Sequence, residues 1–110
     1  MALLIDQEDG LKRVMNNKGL YTKLLGKFRA ETNIEPIFAA LDKGAWEDAR
    51  NLAHTIKGVT ANLSIKDLNE KVVDLETQIK AREVKPETAE AVKTSFAETL
   101  AEIDKVLADG

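Results

Sequence analysis

Apolar residues recur at helical spacing along the whole chain, and the breaks between the runs carry capping residues, glycine or proline. Asp6 is placed to cap a short first helix from about Gln7 to Met15, with Leu11, Val14 and Met15 on its apolar side. Asn16 and Asn17 break it, and Asn17 can cap a second helix from about Lys18 to Ala30. There Leu20, Tyr21, Leu24, Leu25 and Phe28 keep the spacing, with Tyr21 read as a core-edge residue whose hydroxyl is wet. Thr32 and Asn33 supply the next stop and start. Pro36 falls in the first turn of a third helix, where its missing N–H does no harm. Ile34, Ile37, Phe38 and Leu41 face inward, and Gly44 ends that helix.

The fourth run, Ala45 to Leu63, organises the rest. On a wheel of about 100° per residue, Ala45, Ala49, Leu52, Ala53, Ile56, Val59, Thr60 and Leu63 share one arc of roughly 120°. That arc is the predicted core face, with Trp46 at its edge. Ser64 is predicted to cap a fifth helix, with Asp67 in the place of a capping-box partner. Leu68, Val72, Leu75 and Ile79 follow at spacings of four, three and four. A short charged linker, Arg82 to Lys85, leads to Pro86 at the first position of a sixth helix lined by Ala89, Val92, Phe96, Leu100, Ile103 and Leu107.

Short connections make helices four, five and six antiparallel neighbours. The expected fold is all-α: an up-and-down antiparallel four-helix bundle with an additional short N-terminal element. Helices two and three complete the bundle and helix one lies across an end. In that arrangement Asp74 to Glu76 come level with the middle of the fourth helix; these carboxylates could tune the imidazole of His54 or simply be solvated, and the solvated reading is favoured.

Composition narrows the possibilities. A chain of 110 residues reads as a single domain spanning 1–110. There is no cysteine and only one histidine, so disulfides and thiolate or multi-histidine metal sites are not expected. A net charge of −3 and an aromatic content of 5% argue against a nucleic-acid partner. The apolar start, Met1 to Ile5, is too short for a signal peptide or a membrane span, so a cytoplasmic monomer without membrane insertion is expected.

The one histidine, His54, sits on the fourth helix and points almost directly away from its core arc. Glu47, Arg50, Asn51, Lys57, Gly58 and Ala61 lie within about 60° of it on the wheel. An imidazole is a good nucleophile near neutral pH and can hold a phosphoryl group as a phosphoramidate. Lys57 and Arg50 would favour and orient the added negative charge. Glycine in mid-helix is less favourable than alanine by about 1 kcal/mol, and Gly58 beside His54 leaves room for a phosphoryl group or a partner's backbone. The plainer alternative is a surface histidine among ordinary solvated charges, and the glycine on its face weighs against it.

The run AHTIKGVTANLS resembles the signature of histidine-containing phosphotransfer (HPt) domains: a histidine, two residues, a lysine and a glycine in an amphipathic helix, followed by small residues. His54, Lys57 and Gly58 match that pattern. GLKRVMNNKGLYTKLLGKF, from Gly10 to Phe28, looks like the family's N-terminal region, and Leu68 with the Leu75–Glu76 pair fits its next helix. Ser64, where many members have glycine, departs from the pattern, as does Ala61 from a glycine often found there.

The resemblance implies that His54 is the phosphoacceptor, through Nε2, that Lys57 stabilises the phosphoryl group and that Gly58 gives it clearance. It also implies that the face of Glu47, Arg50, Asn51 and Ala61 docks a response-regulator receiver domain. The partners would be receiver domains and a sensor or hybrid histidine kinase. The chain itself would need no cofactor, since the Mg²⁺ that transfer requires would sit in the receiver's acidic pocket. No glycine-rich phosphate loop is present, so a phosphoryl carrier rather than a kinase is expected. A docking module that binds a receiver without transfer is the alternative. A metal or hydrolytic bundle enzyme lacks its Glu-x-x-His pattern, because Asn51 stands three residues before His54.

Overall fold

The computed structural model describes residues 4–109. Met1, Ala2 and Leu3 of the apolar start, and Gly110, lie outside them. The described residues form six helices: α1 (Gln7–Arg13), α2 (Lys18–Glu31), α3 (Glu35–Asp42), α4 (Trp46–Asn62), α5 (Lys66–Lys80) and α6 (Pro86–Asp109). No strand occurs among them. The fold is the expected all-α bundle. α4, α5 and α6 run up and down beside one another, and α6 spans nearly the full 41 Å of the molecule. α2 and α3 follow one another along the fourth side, α2 against α6 and α3 against α4. The core is aliphatic, with Leu25, Ile37, Ile65, Leu68, Val72, Leu75, Val92 and Ile103 fully buried.

Local chemistry accounts for the helix ends. Asp6 and Asn17 cap α1 and α2 as expected, each accepting a hydrogen bond from a backbone N–H three residues on. The first helix stops at Arg13 rather than Met15. Met15 and Asn16 both take left-handed backbone (φ 57° and 60°), and the Met15 side chain is 92% exposed, so it contributes nothing to an apolar face.

Ser64 does not cap α5. Ile65 holds that position without a side-chain bond, and Ser64 ends the preceding helix in left-handed backbone, φ 56°. Ile65 N–H reaches back to the Thr60 carbonyl, the long bond of a Schellman ending. Glycine adopts that conformation without cost, whereas any other residue is strained there. The Ser64 hydroxyl instead donates to Asp9 Oδ2 at 2.5 Å, fastening α1 across the end of the bundle. Asp67, freed from a capping box, accepts from Ser95 on α6 at 2.6 Å.

Tyr21 is not wet. It is 2% exposed, lies against Gly10 of α1 and donates its hydroxyl to the Leu63 carbonyl at 2.7 Å. Burial, followed by the charges of Asp6 and Asp9, pushes its pKa up to about 12. Leu20, Leu52, Val59 and Leu107, all placed inward by periodicity, are exposed. α6 buries Val92, Ser95, Thr99, Ile103 and Val106, with Phe96 and Leu100 only partly covered.

On α4 the buried set narrows to Ala49, Ala53, Ile56 and Thr60, with Leu63 at its end. Dropping Leu52 and Val59 turns the centre of the core arc by roughly 25° toward α5. The cause is tertiary: α3 and α2 cover that side of α4 only in part, with Leu52 beside Pro36 and Ala39 of α3 and Val59 across an open gap from Leu24 and Phe28 of α2. A groove of about 650 Å³ remains there, floored by Val14, Leu24, Phe28, Val59 and Leu63 and flanked by Arg13 and Lys27.

Candidate functional site

α4 carries His54 at its middle, and α5 returns antiparallel so that Glu76 stands opposite. The rotation of the core arc brings His54 nearer the α5 edge than the wheel alone suggests, which lets the two side chains meet. His54 is 69% exposed, yet its Nδ1 lies 3.1 Å from Glu76 Oε2. The other carboxylate oxygen, Oε1, accepts from Lys57 Nζ at 2.5 Å. Glu76 is 4% exposed and Lys57 30%. One buried carboxylate therefore bridges the ring and the ammonium.

The reading of Glu76 as solvated is thus corrected. Its side chain belongs to the buried stripe of α5 with Leu68, Val72, Leu75 and Ile79. A carboxylate taken from water needs compensation. Burial is the largest single influence on Glu76 and raises its pKa. The hydrogen bonds from Lys57 and His54, with the charges of Lys57 and Lys80, outweigh it and hold the group below its ordinary range. Asp74, two residues earlier, is exposed and stands apart from this cluster.

An ionised carboxylate can only accept, so the bond to Glu76 places the imidazole proton on Nδ1. Nε2 then carries the lone pair, on a ring that is mostly open to solvent. Asn69 steadies the neighbourhood from α5: its Nδ2 donates to the Lys57 carbonyl at 2.9 Å and to Thr60 Oγ1 at 3.1 Å.

The remaining sequence-nominated residues share the open face. Gly58 is exposed, and a Cβ built there would meet nothing within 4 Å. Its missing side chain is not required by packing inside this chain. Asn51 and Ala61 are exposed on either side of it. Glu47 and Arg50 pair with each other at 2.8 Å one turn before His54. Among the described residues, no group of three or more acidic, histidine or cysteine side chains is placed to hold a metal ion.

Sequence reasoning weighed the Asp74 and Glu76 carboxylates as groups that could tune His54 but favoured solvent for them, although the signal for Glu76 was present. The antiparallel register put Asp74 to Glu76 level with His54, and Glu76 follows Val72 by four residues on the inward stripe of α5.

Fold and site together define a helical bundle that presents one oriented imidazole to solvent. Residues 24–108 match the family described as the Hpt domain, and the chain belongs to that family. Its members are phosphocarrier modules of two-component signalling that work with receiver domains and kinases. No curated protein and no solved structure matches the chain. No helix of the described residues is long and apolar enough to cross a membrane.

Proposed function

We propose that this protein is a cytoplasmic, monomeric phosphorelay intermediate in which His54 takes a phosphoryl group from a receiver-domain aspartyl phosphate and passes it to a second receiver aspartate. The observation that carries the reading is the bond from His54 Nδ1 to buried, ionised Glu76 on an otherwise open ring. The Nε2 lone pair attacks phosphorus, the bond from phosphorus to the aspartyl oxygen breaks, and the aspartate leaves with the electron pair. No proton needs to leave the ring. The product is a phosphoimidazolium that keeps its Nδ1 proton on Glu76, whose negative charge balances the positive ring. Kept protonated, the ring leaves as a neutral imidazole when the next aspartate attacks.

Lys57 faces the same carboxylate and is close enough along the helix to turn to the phosphoryl oxygens once the group arrives. Gly58 leaves the approach to Nε2 open. Mg²⁺ would be held by the receiver. The donor phosphate enters the relay from a sensor or hybrid histidine kinase, and Glu47, Arg50, Asn51 and Ala61 form part of the docking face.

Transfer from a receiver domain labelled on its aspartate, comparing wild type with His54→Gln, tests this directly. Acid-labile, base-stable label on wild type and none on the variant is the expected result. Receivers that bind but never pass label would leave only a docking module.

A further inference from the structure

Beside the acceptor lies a second feature, of which the relay reading uses only Glu47 and Arg50. A cleft of about 340 Å³ opens between the start of α4 and the end of α5, lined by Trp46, Glu47, Arg50, Ile79, Lys80 and Arg82. Arg50 is one turn before His54, and Lys80 is one turn after Glu76, close enough that its charge acts on that carboxylate. Three cations and one acid, Glu47, line the cleft. Glu47 holds one end of the Arg50 guanidinium, while Arg50 Nε is buried and has no hydrogen-bond partner. Neither Lys80 nor Arg82 forms an ion pair among the described residues. Arg82 also adopts left-handed backbone, φ 57°, where glycine would end α5 without strain. Cations at a helix C-terminus complement its dipole, but that alone explains neither the unsatisfied Nε nor an arginine in a glycine conformation.

We infer that this cleft receives the carboxylate-bearing margin of the receiver pocket that delivers or accepts the phosphoryl group. The inference rests on the relay reading for the partner's identity. The charge argument is local: the whole chain is net negative, yet the residues bordering His54 toward the α4–α5 opening are net positive. A receiver pocket that holds Mg²⁺ is rimmed by carboxylates, and a partner seated on His54 brings that rim within reach of Arg50, Lys80 and Arg82. Because Lys80 and Arg82 are exposed, they act mainly on encounter and selectivity, and their effect is screened by salt.

The test uses a receiver domain labelled on its aspartate, with initial transfer rates measured across receiver and salt concentrations. Lys80→Gln combined with Arg82→Gly is expected to raise KM about tenfold and flatten its salt dependence. Arg82→Gly alone is expected to raise the melting temperature while raising KM, a combination that a purely structural role would not produce. Glu47→Gln, which releases Arg50, should lower KM. Lys105→Glu on α6 changes charge far from the cleft and serves as the control. An unchanged KM and salt slope in the double variant, or an equal change in Lys105→Glu, overturns the inference. Binding is read separately by titrating the same receiver, loaded with Mg²⁺ and beryllofluoride. Wild-type protein that binds in a cleft-dependent way but takes no label would refute the carrier reading and leave the cleft standing. Absence of wild-type binding would refute both.

Discussion

At the scale of single residues, His54 depends on a carboxylate that the solvent scarcely reaches. Replacing Glu76 with Gln keeps the shape but removes the charge that fixes the Nδ1 proton and balances a phosphoimidazolium. Transfer is expected to slow about 10- to 100-fold while the helices remain intact by circular dichroism. Acid should act in the same sense. Because the native pKa of Glu76 is lowered, its contribution to stability is complete above its ordinary value of 4.5 and fades as pH falls through the lowered native value. Acid unfolding of Glu76→Gln should therefore show a shallower loss over that window.

Lys57→Met leaves the buried carboxylate with only the His54 hydrogen bond and the charge of Lys80 for support. The expected cost is about 1–3 kcal/mol in chemical denaturation, below that of a fully buried pair because Lys57 is partly wet. Gly58 sets stability against function. Nothing lies within 4 Å of a Cβ placed there, so Gly58→Ala should stabilise α4 by about 1 kcal/mol and raise the melting temperature by roughly 4 °C. The same variant is expected to transfer more slowly. Full transfer would mean that the glycine clears nothing.

Among the elements, the joint that matters is the end of α4. Tyr21 of α2 holds the Leu63 carbonyl, Ser64 turns the chain, and Asp9 of α1 grips the Ser64 hydroxyl. That bond, a second from Arg13 and the charges of Lys66 and Arg13 outweigh burial and lower the Asp9 pKa to about 2. Ser64→Ala loses the hydroxyl and keeps the strained backbone; Ser64→Gly loses the hydroxyl but relieves the strain. The glycine variant is expected to be the more stable of the two by about 1 kcal/mol in urea unfolding. Equal stabilities would show that the left-handed turn carries no cost. Ser64 therefore holds the turn and adds a tie to α1.

For the molecule as a whole, buried Tyr21 predisposes the bundle to alkaline unfolding. Its native pKa is raised from 10 to about 12, so its neutral form is favoured by folding. The corresponding stability is fully present below pH 10 and is lost as pH climbs toward 12. Tyr21→Phe should remove that alkaline dependence, at a cost of about 1–2 kcal/mol at neutral pH for the unpaired Leu63 carbonyl. Denaturant midpoints measured from pH 8 to 12 would check both, and a phenylalanine variant that keeps the full alkaline loss would place its cause elsewhere.

Much of this was determined by the chain alone, because helix formation is governed by local spacing and by caps. The order of the six helices, the caps at Asp6 and Asn17, Pro86 opening α6 and the outward position of His54 all follow from residues a few places apart. Tertiary structure decided which of several apolar faces found a neighbour. Leu52 and Val59 satisfy the period of α4 as well as Ile56 does, but α3 and α2 leave each of them 37% exposed. Glu76 is a polar residue at an inward position of α5, a place made tolerable chiefly by Lys57 and His54 on another helix. Ser64 and Asp67 have the composition of a capping box, yet each found a partner distant in sequence. Periodicity describes one helix at a time, whereas the pairing that orients the His54 ring depends on the rotation of α4 against α5, which is set by the shape of the whole bundle.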